Sequence, residues 1–128
     1  KAECLLRTGD ANGAATLVTQ VRQRSFPGNA SLATVTGVQL QGNTSYKYGL
    51  KNHFTTTTEP VNDITYGRYL DELGWEFAAE AHRRQDMIRF GVFTKKSWLS
   101  HSPNGDNRTI FPIPLQELNK NPKLKQNP

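Results

Sequence analysis

The amino-acid sequence predicts a mainly α-helical chain in which helix pairs alternate with long irregular loops. Two stretches carry apolar residues at helical spacing. Ala14, Leu17, Val18 and Val21 recur at 0, 3, 4 and 7, and Tyr66, Leu70, Leu73, Phe77 and Ala81 step by 4, 3, 4 and 4. Between them, residues 27–62 are rich in Gly, Asn, Ser and Thr, with only brief apolar alternation around Val35, Val38 and Leu40.

Leu5 and Leu6 precede Thr8-Gly9-Asp10-Ala11-Asn12. Gly9 there can end one helix in the left-handed conformation, and Asp10 or Asn12 can cap the next. Residues 1–26 therefore read as a helix, a tight turn and a second helix that ends near Phe26-Pro27-Gly28. Such a pair has an apolar stripe that it cannot bury alone, so it should stack on further helices, as in helical-repeat proteins. Residues 27–62 read as a loop-rich excursion, and a long loop within a compact domain is a candidate for ligand contact.

Asp63 or Thr65 can cap the main helix of the chain, expected to continue as far as Gly91. Trp75 falls about 200° around that helix from Leu73, at ~100° per residue, which predicts a two-sided helix packed between neighbours. From 92 to 128 the sequence predicts a loop with a turn at Ser102-Pro103-Asn104-Gly105-Asp106. An extended run, Thr109-Ile110-Phe111-Pro112-Ile113, follows, and then a short helix from Pro114 to about Asn119.

The chain has 128 residues, 35% of them hydrophobic, enough for one domain with a modest core. It starts at Lys1 and stops at Gln126-Asn127-Pro128, and both ends read as cut. Any signal peptide or lipid-attachment cysteine is then expected upstream. The single cysteine, Cys4, beside Leu5 and Leu6, reads as a small helix-packing residue.

The net charge of +5 divides into +3 over residues 1–62, −2 over 63–94 and +4 over 95–128. The last group (Lys95, Lys96, Arg108, Lys120, Lys123 and Lys125) is scattered among Pro and Asn without interleaved aromatics, so it reads as solvated surface and no nucleic-acid partner is expected.

Two stretches carry a resemblance. They are Leu70-Asp-Glu-Leu-Gly-Trp-Glu-Phe-Ala-Ala-Glu-Ala-His-Arg-Arg-Gln-Asp-Met-Ile-Arg-Phe-Gly91 and Phe111-Pro-Ile-Pro-Leu-Gln-Glu-Leu-Asn-Lys-Asn-Pro-Lys-Leu-Lys-Gln-Asn-Pro128. In order and spacing they resemble the C-terminal signatures of the SusD/RagB family, and residues 1–26 are similar to that family's tetratricopeptide-like helix pair. Ala81 and Met87 replace the commoner Gly and Leu, Leu73 stands where Arg is frequent, and a terminal Gly-Tyr is missing.

The resemblance implies a mainly α, SusD-like C-terminal part of a lipid-anchored, surface-exposed outer-membrane protein. Such a protein would cap a SusC-type TonB-dependent transporter, deliver oligosaccharide or peptide to it, and need no cofactor or catalytic residue. Membrane attachment would come only through the upstream anchor.

Sugar binding needs aromatic faces against C–H surfaces and polar groups for the hydroxyls. Asn43, Tyr46, Tyr48, Asn52 and His53 supply both within residues 41–58. Trp98 is a further candidate, although packing is the stronger reading for an aromatic of its size. Glu76, Glu80, Arg83, Arg84, Asp86 and Arg89 read as a structural ion-pair network, with Glu80 and Arg84 paired at i,i+4 and Asp86 near Arg83 and Arg89.

Two alternatives remain. One is a helical-repeat scaffold for another protein. The other is a glycoside hydrolase using Glu76 and Glu80 as its carboxylates, a reading weakened by the nearby arginines. His82 lacks a third ligand at fixed spacing for a metal site, and no nucleophile or phosphate-loop motif is present.

Overall fold

The computed structural model describes residues 1–127. It is mainly helical: α1 (Ala2–Arg7), α2 (Ala11–Ser25), α3 (Ala30–Ala33), α4 (Gly37–Gln41), α5 (Gly67–Glu76), α6 (Arg83–Arg89) and α7 (Leu115–Lys120). Two short strands, β1 (Gly49–Leu50) and β2 (Trp98–Leu99), pair in parallel with Gly49 opposite Trp98 and Leu50 opposite Leu99.

The turn between α1 and α2 follows from its residues. Gly9 takes φ +96°, its N–H donates to the Leu6 carbonyl at 3.3 Å, and Asp10 N–H reaches the Leu5 carbonyl at 2.9 Å. This is a Schellman closure, and Asp10 at once caps α2 by accepting from Gly13 N–H at 2.8 Å. Cys4 differs from expectation: it is exposed, because it lies on the α1 face away from buried Leu6.

Residues 27–62 are more ordered than their composition suggested. Asn29 caps α3, and Thr36 with Gln39 forms a reciprocal capping box on α4. Ala33, Val35 and Leu40 are buried, and the last two join Leu6, Ala14, Ala15, Val18 and Tyr69 in a first core; Val38 faces solvent. A second core gathers Tyr48, Ile64, Leu70, Met87 and Val92. Helix α5 stands between the two, with Tyr69 and Leu73 on the first and Leu70 in the second.

The expected single helix to Gly91 is two helices. Helix α5 ends at Glu76, and residues 77–81 form turns in which Ala79 (φ +65°) and Ala81 (φ +61°) are left-handed. Left-handed residues cannot continue a right-handed helix. Trp75, predicted to pack against a neighbour, is 55% exposed, with the Arg68 guanidinium 4.4 Å from its ring centroid. Helix α6 ends in a second Schellman closure: Gly91 (φ +68°) donates to the Ile88 carbonyl at 3.0 Å and Val92 to the Met87 carbonyl at 2.8 Å.

No strand forms over 109–114, where two prolines lack N–H donors. Side chains pair the segment instead. The Gln126 amide accepts from Ile113 N–H at 2.8 Å and donates to the Ile113 carbonyl at 3.0 Å, and Asn127 Nδ2 donates to the Phe111 carbonyl at 2.6 Å.

Candidate functional site

Two concavities flank α5. The smaller, about 300 Å³, is lined by Ser45, Tyr46, Asp71, Gly74, Trp75 and Arg83. Its wall is set by Asp71, 5% exposed, whose Oδ2 accepts from Ser45 N–H at 2.7 Å and Ser45 Oγ at 2.9 Å, while Oδ1 accepts from Thr44 Oγ1. Those bonds fix the turn after α4, and Tyr46 N–H completes it on Thr44 Oγ1 at 3.0 Å. The Tyr46 ring meets Tyr48 edge-on, with centroids 4.8 Å apart.

Arg83 reaches this hollow because residue 74 has no side chain. A Cβ there would lie 2.8 Å from Arg83 Nη1, which donates to the Leu70 carbonyl at 2.7 Å. The arrangement can seat a small polar ligand between exposed rings, with a hydroxyl and a guanidinium in reach.

The larger concavity is a groove of about 790 Å³ between α2 and α5, with Leu17, Val21, Phe26, Leu73 and Phe77 in its lining. Ion pairs cross it from Arg22 to Glu72 at 2.9 Å and from Arg24 to Glu76. Trp75 borders both concavities.

Of the six ligand candidates read from sequence, Tyr46 alone lines the hollow. Tyr48 is 1% exposed, so its ring is core, and burial pushes its hydroxyl pKa up although nearby Arg83 pulls the other way. Asn43 is exposed and outside either concavity. Asn52 Oδ1 caps its own turn, accepting from Phe54 N–H at 3.0 Å and Thr55 N–H at 2.8 Å, and His53 sits exposed beside Phe54. Trp98 stacks on His101 at 3.7 Å and packs near Phe93 at 6.0 Å, as its size favoured.

Sequence reasoning missed Trp75 as a lining residue. The available signal was its place off the apolar stripe of α5.

The six ion-pair candidates do not form one network. Glu76 pairs with Arg24, and Glu80, in the turn after α5, has no ion pair among the described residues. With the helix broken at 77–81, Glu76 and Glu80 do not lie on one helical face. Arg83 bonds the Leu70 carbonyl. Arg84 lies 4.2 Å from the Phe111 ring and 5.0 Å from Phe93, and donates to the Arg108 carbonyl at 2.8 Å. Only Asp86 and Arg89 pair as expected, at 3.0 Å, and Arg89 continues to Glu3 on α1 at 2.6 Å.

A clamp between a buried lysine and an exposed aspartate went unforeseen. Lys96, 6% exposed, donates to Asp63 Oδ2 at 2.7 Å and to the Pro60 carbonyl at 2.8 Å, and this bond holds the Asp63 carboxyl below its ordinary pKa. Among the described residues, no group of three or more His, Cys, Asp or Glu could hold a metal ion, and no helix is long and apolar enough to cross a membrane.

The chain is 33% identical over 78 residues to the starch-binding protein SusD of Bacteroides thetaiotaomicron, a match covering 55% of this chain and 14% of the relative. It is 39% identical over 61 residues to the SusD-like protein P25 of Formosa agariphila, covering 42% of this chain and 12% of the relative. The matched segments thus span a small part of either relative. No solved structure matches the chain. The model of the SusD family matches residues 1–109. With helix pair, signature helices and family match in agreement over that range, the chain belongs to the SusD family.

Proposed function

We propose that this chain is part of a non-catalytic nutrient-binding protein of the bacterial outer-membrane surface, which captures glycan and delivers it to a SusC-type TonB-dependent transporter. The observation that carries the glycan reading is the hollow, where Tyr46 and Trp75 present exposed rings beside Ser45 and Arg83. Aromatic faces cover sugar C–H surfaces, and the hydroxyl and guanidinium bond sugar oxygens. Family membership and the starch-binding relative support the same class of ligand. Attachment to the membrane would come from a lipid carried elsewhere in the protein.

Calorimetry of the intact protein against oligosaccharides and peptides tests this reading. Glycan should bind, and Tyr46→Ala or Trp75→Ala should weaken it. Absence of binding, with normal nutrient uptake by cells lacking the protein, would overturn it.

The apolar groove supports a second reading, a surface for a helix of another protein. Leu17→Glu should abolish a protein partnership and leave glycan binding intact.

A further inference from the structure

The glycan reading leaves the class of sugar open, and the charges around the hollow narrow it. Three carboxylates of α5 lie on or near it, and each is ion-paired or hydrogen-bonded. Asp71 accepts from Thr44 and Ser45 and faces Arg68 Nη1 at 3.7 Å. Glu72 pairs with Arg22 at 2.9 Å and with Arg68 at 3.3 Å. Glu76 pairs with Arg24. Glu80 is exposed and does not line the hollow.

The cations are not matched in the same way. Arg83 lines the hollow and, among the described residues, forms no ion pair; its Nη1 donates to the neutral Leu70 carbonyl, and its guanidinium lies beside the neutral Tyr48 hydroxyl. Lys51 Nζ stands 5.7 Å from the centroid of the Tyr46 ring that lines the hollow, also without an ion pair among the described residues. A guanidinium has five donors, so the carbonyl bond leaves Arg83 able to meet an acidic group.

We infer that the Tyr46–Trp75 hollow is a subsite for an acidic sugar unit, whose carboxylate or sulfate meets Arg83 and Lys51 while its ring lies against the aromatic side chains. This inference rests on the glycan reading above and names the ligand class of the same site. Neutral sugar would gain the aromatic contacts and hydrogen bonds to its uncharged oxygens. The acidic unit adds a charge-assisted bond, with attraction screened by salt beyond roughly 8 Å at physiological ionic strength.

The test is titration calorimetry on the intact protein with two matched pairs of probes. The first pair is hexagalacturonate and its fully methyl-esterified counterpart. The second is a sulfated galactan hexasaccharide and its desulfated form. The acidic member of at least one pair should bind about tenfold more tightly than its neutral partner, and the advantage should shrink as salt rises.

Lys51→Gln should reduce that advantage without changing neutral binding, and Arg83→Gln should weaken acidic binding by a larger factor than neutral binding. Arg83→Lys should restore much of the advantage. Lys51 is exposed, so its variant reports on binding even if loss of the Leu70 bond disturbs folding in Arg83→Gln.

Neutral probes that bind as well as acidic ones would overturn the inference and leave the glycan reading standing. An acid preference untouched by both Gln substitutions would also overturn it. Failure of all four probes to bind would overturn the inference, while the glycan reading is decided by the oligosaccharide titrations and uptake assay above.

Discussion

Replacing Ala81 by Gly should stabilise this protein, although Gly is the poorer residue almost everywhere in a helical chain. Ala81 sits at φ +61° in the turn between α5 and α6. Placing an L-residue with a Cβ there costs about 1–2 kcal/mol, a cost that Gly escapes. Gly in turn loses about 0.4–1 kcal/mol through the greater freedom of its unfolded chain. The difference predicts a net gain of roughly 0.5–1 kcal/mol. With a urea dependence of about 1–3 kcal/mol per molar, the unfolding midpoint should rise by a few tenths molar.

The control is Ala78→Gly, three residues earlier in the same exposed turn but without a left-handed backbone, which should lower the midpoint. Urea unfolding followed by far-UV circular dichroism compares the two. Equal losses for both variants would show that residue 81 is not held left-handed, and would refute the account of why the helix breaks.

Further expectations follow from the clamps. Asp63→Asn strands the buried Lys96 ammonium, so it should destabilise more than the double change Asp63→Asn with Lys96→Met, as urea midpoints would report. Because Lys96 lowers the Asp63 pKa in the folded state, the pair's contribution is present at neutral pH. It is lost as pH falls through that lowered value, and Asp63→Asn should lack this part of the acid profile. Arg84→Ala should cost about 1–2 kcal/mol and expose residues 108–127 to limited proteolysis, with Arg84→Lys recovering part of the loss. Gln126→Glu keeps an acceptor for Ile113 N–H but removes the donor to the Ile113 carbonyl, so hydrogen exchange at the Ile113 amide should quicken.

What the sequence made legible was what is decided locally. Gly9 and Asp10 specify the α1–α2 turn within a few residues, and Gly91 stops α6 by the same chemistry. The break at 77–81 was hidden because Ala is the best helix former, and Phe-Ala-Ala-Glu-Ala contains no local stop signal. Helices α3 and α4 are too short to show a period, and they exist through capping by Asn29 and Thr36 and burial of Ala33 and Leu40. Tyr46 and Tyr48 look alike in the sequence, and only long-range packing against Ile64, Leu70, Met87 and Val92 sends Tyr48 inside. Trp75 and Arg83 meet Tyr46 for the same reason, across a distance in sequence that no motif spans.

The two signature stretches are one mechanical unit. Arg83 crosses Gly74 to the Leu70 carbonyl and so locks α6 against α5. Arg84, the next residue, faces the other way and holds Phe111. The terminal Gln126 and Asn127 close on Ile113 and Phe111 from the opposite side in sequence. Each partner in these contacts lies within one of the two stretches, which gives a physical reason for the stretches to occur together. Arg83 also borders the hollow, so the residue that fixes the angle between α5 and α6 is the one proposed to meet the ligand. A change in that angle would therefore move the guanidinium relative to Tyr46 and Trp75, and the proposed binding would be coupled to the support through a single side chain.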